Sequence, residues 1–313
     1  MDSPPTRQGV APAVHDRLRE AKTAVHYRGI IARRLVRDFR QSSALVADNQ
    51  VDLSQLQTWC SFLSTPRSGH SLIGALIDAH PDAVIGSEYG IVDHLIWGFS
   101  RARVAALLVA DSKRIPHNFS RRFGTARKGG YTYDVAGQWQ GRLRHLKVLG
   151  DKDGSADTMR FGRRPHLAPR IEQTMQAPVR FVHVYRNPFD VVSTIVRRSQ
   201  RHVDGAVSIA RAVAMLEERT RIHLEMIGTH GAERVFSLAH EDHIAAPQRE
   251  LGALVRWLGL DADPAYLDAC AALCFAAPRK TRAELGWDAE EIARVRRLIE
   301  ATPFLQRYAG DEV

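Results

Sequence analysis

The segment Pro66-Arg67-Ser68-Gly69-His70-Ser71 has the residue types of an anion-binding loop. Gly69 permits a tight backbone path, and the helix predicted to follow it presents free N–H groups and the positive end of its dipole. Arg67 adds a guanidinium that can donate two hydrogen bonds to a phosphate or sulfate. The loop lacks the Gly-x-x-x-x-Gly-Lys-Ser/Thr pattern, so a metal-dependent NTPase loop is not supported. Taken alone, the segment is either an anion site or an ordinary strand-to-helix turn.

A second candidate anion site begins at Arg186, about 120 residues after the first. Arg186-Asn187-Pro188 turns the chain after an alternating stretch rich in β-branched and aromatic residues, because the residue before a proline is disfavoured in a helix. The hydroxyls of Ser193 and Thr194 lie in the helix that follows. An arginine and a hydroxyl at this spacing suit a second phosphate, with a surface arginine at a strand end as the alternative.

The elements that position these residues follow from hydrophobic periodicity. The pattern predicts strands at 59–63, 146–149, 179–185 and 235–239, and helices at 13–39, 72–79, 91–109, 189–198, 206–227, 249–258 and 289–301. Strands separated by helices imply a parallel sheet covered on both faces. The sequence therefore predicts a three-layer α/β fold with a central parallel sheet flanked by helices. Ligands of such sheets bind at the carboxyl ends of the strands, where both candidate sites fall.

Composition restricts the class of protein and the kind of partner. The 313 residues are 44% hydrophobic and 25% charged, which excludes a disordered chain or a disulfide scaffold. The net charge of +9 favours nucleic acid, an anionic membrane or a polyanionic ligand, but the 38 arginines and 6 lysines are scattered along the chain. No apolar run reaches the roughly 18 residues of a membrane span, and Met1 to Val10 has no signal-peptide core, which predicts a cytoplasmic protein.

The three cysteines do not predict a metal or redox site. Cys270 and Cys274 lie one helical turn apart in an alanine-rich stretch, and no second pair of ligands lies nearby in the sequence. We expect them to belong to the core, and we expect no metal site.

Taken together, the two anion motifs resemble those of sulfotransferases that use 3′-phosphoadenosine 5′-phosphosulfate (PAPS). Residues 57–90 resemble the family's 5′-phosphosulfate loop, and Tyr185 to Thr194 resembles its 3′-phosphate motif, in the family's order and at a similar separation. Weaker likeness covers most of residues 55–310. Val148 to Asp153 is similar to a lysine-bearing strand end in the tyrosylprotein branch and related bacterial members, and Pro278 to Arg282 is similar to a C-terminal basic loop. Residues 1–50 match nothing in the family.

The resemblance implies a P-loop-like fold, PAPS as sulfuryl donor, PAP as product, and two sets of nucleotide-binding residues. The 5′-phosphosulfate would be held by Arg67, Ser68, Gly69, His70, Ser71 and Leu72. The 3′-phosphate would be held by Arg186 with Ser193 or Thr194, and by the basic loop residues Arg279, Lys280 and Arg282. Family spacing favours Thr194 over Ser193, but the sequence leaves both open.

Three residues are candidates for catalysis under the same resemblance. Glu88 stands where the tyrosylprotein branch places its glutamate, and it is either the base that takes the acceptor's proton or a polar structural residue. Lys152 would neutralise the bridging oxygen, or it forms a surface ion pair with Asp151 or Asp153. His70, where the family has threonine or serine, is expected as a donor to the sulfuryl group or as an alternative base.

The expected organisation is an N-terminal helical extension at 1–50 followed by a sulfotransferase domain at 51–313. The acceptor would be a hydroxyl of a small molecule, lipid or sugar, and the region from about Gly90 to Gln140 suits an acceptor-binding lid. Two other functions remain open at this point. A P-loop kinase would need a loop lysine and magnesium, and a basic nucleic-acid-binding protein would show a contiguous arginine face.

Overall fold

A five-stranded parallel sheet forms the centre of the fold. The computed structural model describes residues 11–48, 51–114, 133–200, 206–311 and 313, and the side chains from residue 29 onward. The strands are β1 (Thr58–Ser64), β2 (Ala83–Ser87), β3 (Val148–Lys152), β4 (Val179–Tyr185) and β5 (Val235–Ala239). Their order across the sheet is β2-β3-β1-β4-β5, and every pairing is parallel.

Helices connect the strands and cover the sheet. Those before β3 are α1 (Ala11–Asp48), α2 (His70–Asp78), α3 (Ile91–Ile96) and α4 (Arg101–Arg114). Between β3 and β5 lie α5 (Gly154–Arg163), α6 (Leu167–Met175), α7 (Pro188–Ser199) and α8 (Ile209–Arg234). After β5 come α9 (His240–Ala245), α10 (Pro247–Trp257), α11 (Pro264–Ala271) and α12 (Ala289–Ala301), with 3₁₀ turns at Arg282–Glu284 and Pro303–Tyr308.

The central strand β1 is buried on both faces, which explains its nearly continuous apolar character. Trp59 and Leu63 face a core formed with α3 to α6 and α8, whereas Cys60 and Phe62 face a second core formed with α2 and α9 to α11. A third cluster joins α7, α8 and α12. These layers confirm the predicted α/β fold with a central parallel sheet flanked by helices.

Some local predictions differ from the structure. The short helices α5, α6, α9 and α11 were not predicted. Strand β2 was not predicted either, because only Val84 and Ile85 of its five residues are strong strand formers and the strand is defined by its pairing with β3. The single helix predicted at 91–109 is two helices, α3 and α4, separated around Gly98. Glycine is the poorest helix former in that stretch, and an apolar pattern that continues across it hides the break.

The N-terminal helix α1 packs against α4. Leu35 belongs to the first core, and Arg103 of α4 donates hydrogen bonds to the carbonyl of Phe39 and the hydroxyl of Ser42. None of the helices in the described part of the chain combines the length and apolar character needed to cross a membrane.

Candidate anion-binding and catalytic site

The anion loop, residues 66–71, joins β1 to α2 at the carboxyl end of the central strand. The backbone N–H of Ser68 donates to the carbonyl of Thr65 (3.2 Å), which closes the turn. Gly69 precedes α2 with φ +98°, and a Cβ there would lie 2.4 Å from His240 Nδ1. Both the left-handed backbone and the close approach require glycine. The first N–H groups of α2 are thereby directed at the mouth of the loop.

Arg67 brings a poorly compensated positive charge to this loop. Burial lowers the pKa of Arg67, repulsion from Arg198 acts in the same direction, and attraction to Glu88 opposes both. No carboxylate in the described residues forms an ion pair with its guanidinium. Its backbone has φ +72°, a conformation that costs free energy in a non-glycine residue and is concentrated at functional sites. A bound anion would stabilise this arrangement.

Arg186, at the end of β4, links the anion loop to the basic loop, which comprises residues 278–282. Its guanidinium donates to the carbonyl of Arg67 (3.5 Å) and to the carbonyl of Arg279. Its Nε is buried and has no hydrogen-bond partner in the part of the chain that the structure describes. The next residue, Asn187, caps α7 by accepting from the N–H of Phe189 (3.0 Å). The turn therefore starts a helix immediately beside the arginine.

The two candidate hydroxyls on α7 have different surroundings. Thr194 is partly exposed, donates to the carbonyl of Asp190 (2.7 Å) and lies 3.1 Å from the hydroxyl of Thr281 in the basic loop. Ser193 is fully buried, and its Oγ has no hydrogen-bond partner among the described residues. Of the two, only Thr194 faces the loop that carries Arg279 and Lys280.

Asp190 fastens the basic loop to the start of α7. Its carboxylate accepts from the N–H groups of Thr281 (2.6 Å) and Arg282 (3.0 Å). Arg282 is buried, and its guanidinium pairs with Asp190 (3.1 Å) and Asp311 (2.8 Å). Arg282 is thus already neutralised, whereas Lys280 is exposed and Arg279 is 65% exposed with Glu284 at 3.6 Å.

Lys152 and Glu88 form an ion pair at the ends of β3 and β2. The distance from Lys152 Nζ to Glu88 Oε1 is 2.8 Å, and the lysine side chain is fully buried while the glutamate is 30% exposed. The expected alternative partners of Lys152 are engaged elsewhere. Asp151 accepts three backbone N–H groups at the start of α3, and Asp153 pairs with Arg160 (2.6 Å).

Glu88 itself has φ +58°, so it shares the left-handed conformation of Arg67. Only one other non-glycine residue of the described chain, Gln176, has a positive φ, and it lies outside the site. The two strained residues are therefore two of those that the sequence singled out for function, which is where backbone strain is typically retained.

His70 is the residue of the anion loop at which α2 begins, and its ring is nearly buried. Its Nδ1 is within hydrogen-bonding distance of Ser64 Oγ (2.9 Å) and Ser68 Oγ (3.3 Å). Burial lowers the pKa of His70 well below its usual range, and the charges of Lys152 and Arg67 act in the same direction. The imidazole is therefore neutral at pH 7 and only weakly basic, and the weak basicity favours a hydrogen-bonding role over one as the base.

His240 follows β5 and was not among the candidate site residues predicted from the sequence. Its Nδ1 is buried, lies against Gly69 and has no hydrogen-bond partner in the described residues. Burial lowers the pKa of His240 to about 3, and Arg186 adds to the effect. The sequence could have indicated a role for His240 through its place directly after a strand, since ligands bind at strand ends.

Ser71 and Leu72 lie at the start of α2, as expected. Residues 115–132 of the expected lid lie outside the described residues.

No metal centre emerges from the residues that the structure describes, because no three histidine, cysteine or carboxylate side chains in them are placed to share an ion. Cys270 is buried in the second core, and Cys274 lies half-buried beside it with its Sγ 3.5 Å from His243 Nε2.

Comparison with known proteins gives matches among solved structures. No protein-family model and no curated protein matches the chain. The sulfotransferase domain from the curacin biosynthetic pathway is 16% identical, with a TM-score of 0.45, and the match covers 80% of this chain and 100% of that one. A sulfotransferase from Mycobacterium avium is 10% identical, with a TM-score of 0.47 and coverage of 86% and 81%. A mouse sulfotransferase complexed with PAP is 11% identical, with a TM-score of 0.45 and coverage of 82% and 92%.

All three proteins are sulfotransferases, which is the family whose motifs the sequence resembles. At these identities and TM-scores the likeness carries no argument about this chain. The function of this chain therefore rests on the side chains at its own site.

Proposed function

We propose that this chain is a sulfotransferase that uses PAPS to sulfate a hydroxyl of a small molecule, lipid or sugar. One observation carries the proposal. The anion loop, Arg186 and the basic loop meet at the carboxyl edge of the sheet. The Lys152–Glu88 pair lies at the same edge, with Lys152 on β3 beside β1 and Glu88 after β2, the next strand out. Two anion sites beside a cation and a carboxylate suit a nucleotide with phosphate groups at both ends and an acceptor that must lose a proton.

The described residues fit such a nucleotide. Arg186 Nε and His240 Nδ1 are buried polar atoms that have no hydrogen-bond partner among the described residues, although buried polar groups are ordinarily hydrogen-bonded. A side chain at residue 69 would collide with His240, so glycine lets the backbone of the anion loop pass close to this residue. Arg67, Arg186, Arg279 and Lys280 supply positive charge without a metal ion.

The binding roles divide between the two sites. Arg67 and the backbone of Ser68, Gly69, His70, Ser71 and Leu72 would hold the 5′-phosphosulfate. Arg186, Thr194, Arg279 and Lys280 would hold the 3′-phosphate. Arg282 would act indirectly, since its ion pairs with Asp190 and Asp311 hold the basic loop in place.

Catalysis would depend on charge placed where it develops and on alignment. When bound, PAPS supplies a sulfuryl group whose bond to the 5′-phosphate breaks as the acceptor oxygen bonds to sulfur. Glu88 takes the hydroxyl proton onto its carboxylate, Lys152 neutralises negative charge on the leaving side, and neutral His70 donates a hydrogen bond. The ion pair orients Glu88 before the acceptor arrives.

The first prediction concerns the nucleotide. Titration of the purified protein with PAP in the presence of EDTA should give saturable binding, because the charges at both sites come from side chains. ATP with magnesium serves as the comparison, measured by calorimetry under the same conditions. Preference for ATP with magnesium, and no binding of PAP, would support a kinase-like phosphotransferase instead. DNA or RNA binding that falls steeply with salt would support the nucleic-acid alternative.

A second prediction separates the adjacent hydroxyls of α7. Thr194→Val should weaken PAP binding by about tenfold, since one hydrogen bond to a charged group contributes roughly 1.5 kcal/mol or more. Ser193→Ala is the matched control and should leave PAP binding unchanged, because its hydroxyl lies in the interior of the fold. The reverse result, with loss in Ser193→Ala alone, would transfer the 3′-phosphate contact to Ser193.

A further inference from the structure

Residues 88–91, here called the Glu88 turn, carry Glu88. Helix α1 contacts this turn. The N–H groups of Tyr89, Gly90 and Ile91 donate to Asp151, at 3.1, 2.6 and 3.0 Å. Asp151 precedes Lys152 on β3, so one strand holds both the turn and the partner of Glu88. Asp151 thus binds the backbone N–H groups of the turn, whereas the backbone carbonyls of the turn are bound by another element.

Arg34 of α1 holds the carbonyl side. Its Nη1 donates to the carbonyl of Tyr89 (3.1 Å), and its Nη2 donates to the carbonyl of Gly90 (3.3 Å) and to Asp93 (3.2 Å). Gly90 has φ +71°, and a Cβ there would lie 3.0 Å from both terminal nitrogens of Arg34. A side chain at residue 90 would thus press on the guanidinium in addition to straining the backbone.

Asp38, one turn further along α1, holds the side chain of the same turn. Its carboxylate is fully buried and accepts from the hydroxyl of Tyr89 (3.3 Å), with His94 Nε2 at 2.9 Å. Despite the cost of burial, the hydrogen bonds from His94 and Arg37 lower the pKa of Asp38, so the carboxylate stays ionised. Two consecutive turns of one helix therefore contact the backbone and the side chain of the Glu88 turn.

We infer that Arg34 is a positioning residue that, together with Asp38, fixes the Glu88 turn so that the Glu88 carboxylate faces Lys152. The inference rests on the proposed function, because it assigns to α1 a part in placing the proposed base. The left-handed conformation of Glu88 needs such support, since the surrounding contacts must offset its strain. The segment without a match in the family would then belong to the catalytic apparatus.

The test compares Arg34→Met with Arg33→Met. Arg33 is exposed and, within the described part of the chain, its side chain bonds only the carbonyl of Gly29 in its own helix, so it is the matched control. Turnover of PAPS with a simple phenol should fall about tenfold or more in Arg34→Met, the scale of a displaced catalytic group, with PAP affinity unchanged. Arg34→Lys should restore part of the rate, and Arg33→Met should match the parent protein.

Two further measurements distinguish positioning from general damage. In a Glu88→Gln background, Arg34→Met should reduce turnover little further, because the effects of substitutions that act through one group are not additive. Amide exchange at residues 89–91 should accelerate in Arg34→Met and not in Arg33→Met. Unchanged turnover and exchange, or a parallel loss of PAP affinity, would overturn the inference. If the parent protein shows no turnover, the proposed function fails, and amide exchange alone then decides whether Arg34 holds the turn.

Discussion

Replacing Glu88 by glutamine is expected to reduce turnover by about 100-fold or more, the usual scale for a positioned acid–base group, while PAP affinity stays nearly unchanged. Glutamine keeps the shape of the side chain and an oxygen that can accept from Lys152 at the same place. It cannot take the acceptor's proton. Binding and chemistry should therefore separate at this residue, measured by single-turnover transfer to a simple phenol and by PAP titration.

His70→Gln is the informative companion, because His70 is the alternative proton acceptor. Its pKa is well below the usual range, so its imidazole is a weak base, and we expect a smaller loss than at Glu88. Survival of turnover in Glu88→Gln with collapse in His70→Gln would move the base to His70. Either variant must still bind PAP, since lost binding would indicate damage to the anion loop.

The sequence was sufficient to predict four of the five strands and the edge of the sheet at which the candidate site residues lie. Strands β1, β4 and β5 have local patterns of their own, and parallel strands place their carboxyl ends at one edge, so Arg67, Arg186 and Lys152 had to lie near one another. Strand β2 escaped prediction because it is defined by its pairing with β3. Glu88, at the end of that strand, was accessible only through the family resemblance.

Other features depend on contacts between distant segments, which no local pattern encodes. Arg279 and Arg282 are both arginines, but only Arg282 is neutralised by two carboxylates. Its partners are Asp190, which lies far from it in the sequence, and Asp311, which lies near the C-terminal end. Hydrophobic periodicity predicted a helix at 13–39, but it did not show that Arg34 contacts Tyr89, which lies 55 positions later in the chain. The choice between Ser193 and Thr194 likewise depends on how α7 is rotated against the basic loop.

Arg186→Ala is expected to weaken PAP binding by about 100-fold or more, the upper end of what one hydrogen bond to a charged group contributes. Calorimetric titration with PAP and with 5′-AMP measures the effect, because 5′-AMP lacks the 3′-phosphate and should lose far less. Arg180→Ala is the control on the same strand. Arg180 lies at the opposite end of β4, where it donates to the carbonyl of Trp257 and stacks over its ring, so PAP affinity should persist.

The comparison of nucleotides matters because Arg186 has two roles in the structure. Its guanidinium also bonds the carbonyls of Arg67 and Arg279, so its removal loosens both the anion loop and the basic loop. Loosening of the anion loop would weaken the binding of PAP and of 5′-AMP by the same factor, since both ligands use that loop. A direct contact with the 3′-phosphate, like loosening of the basic loop, weakens PAP binding selectively. Equal losses would therefore assign Arg186 to holding the anion loop and would leave the 3′-phosphate to Thr194, Arg279 and Lys280.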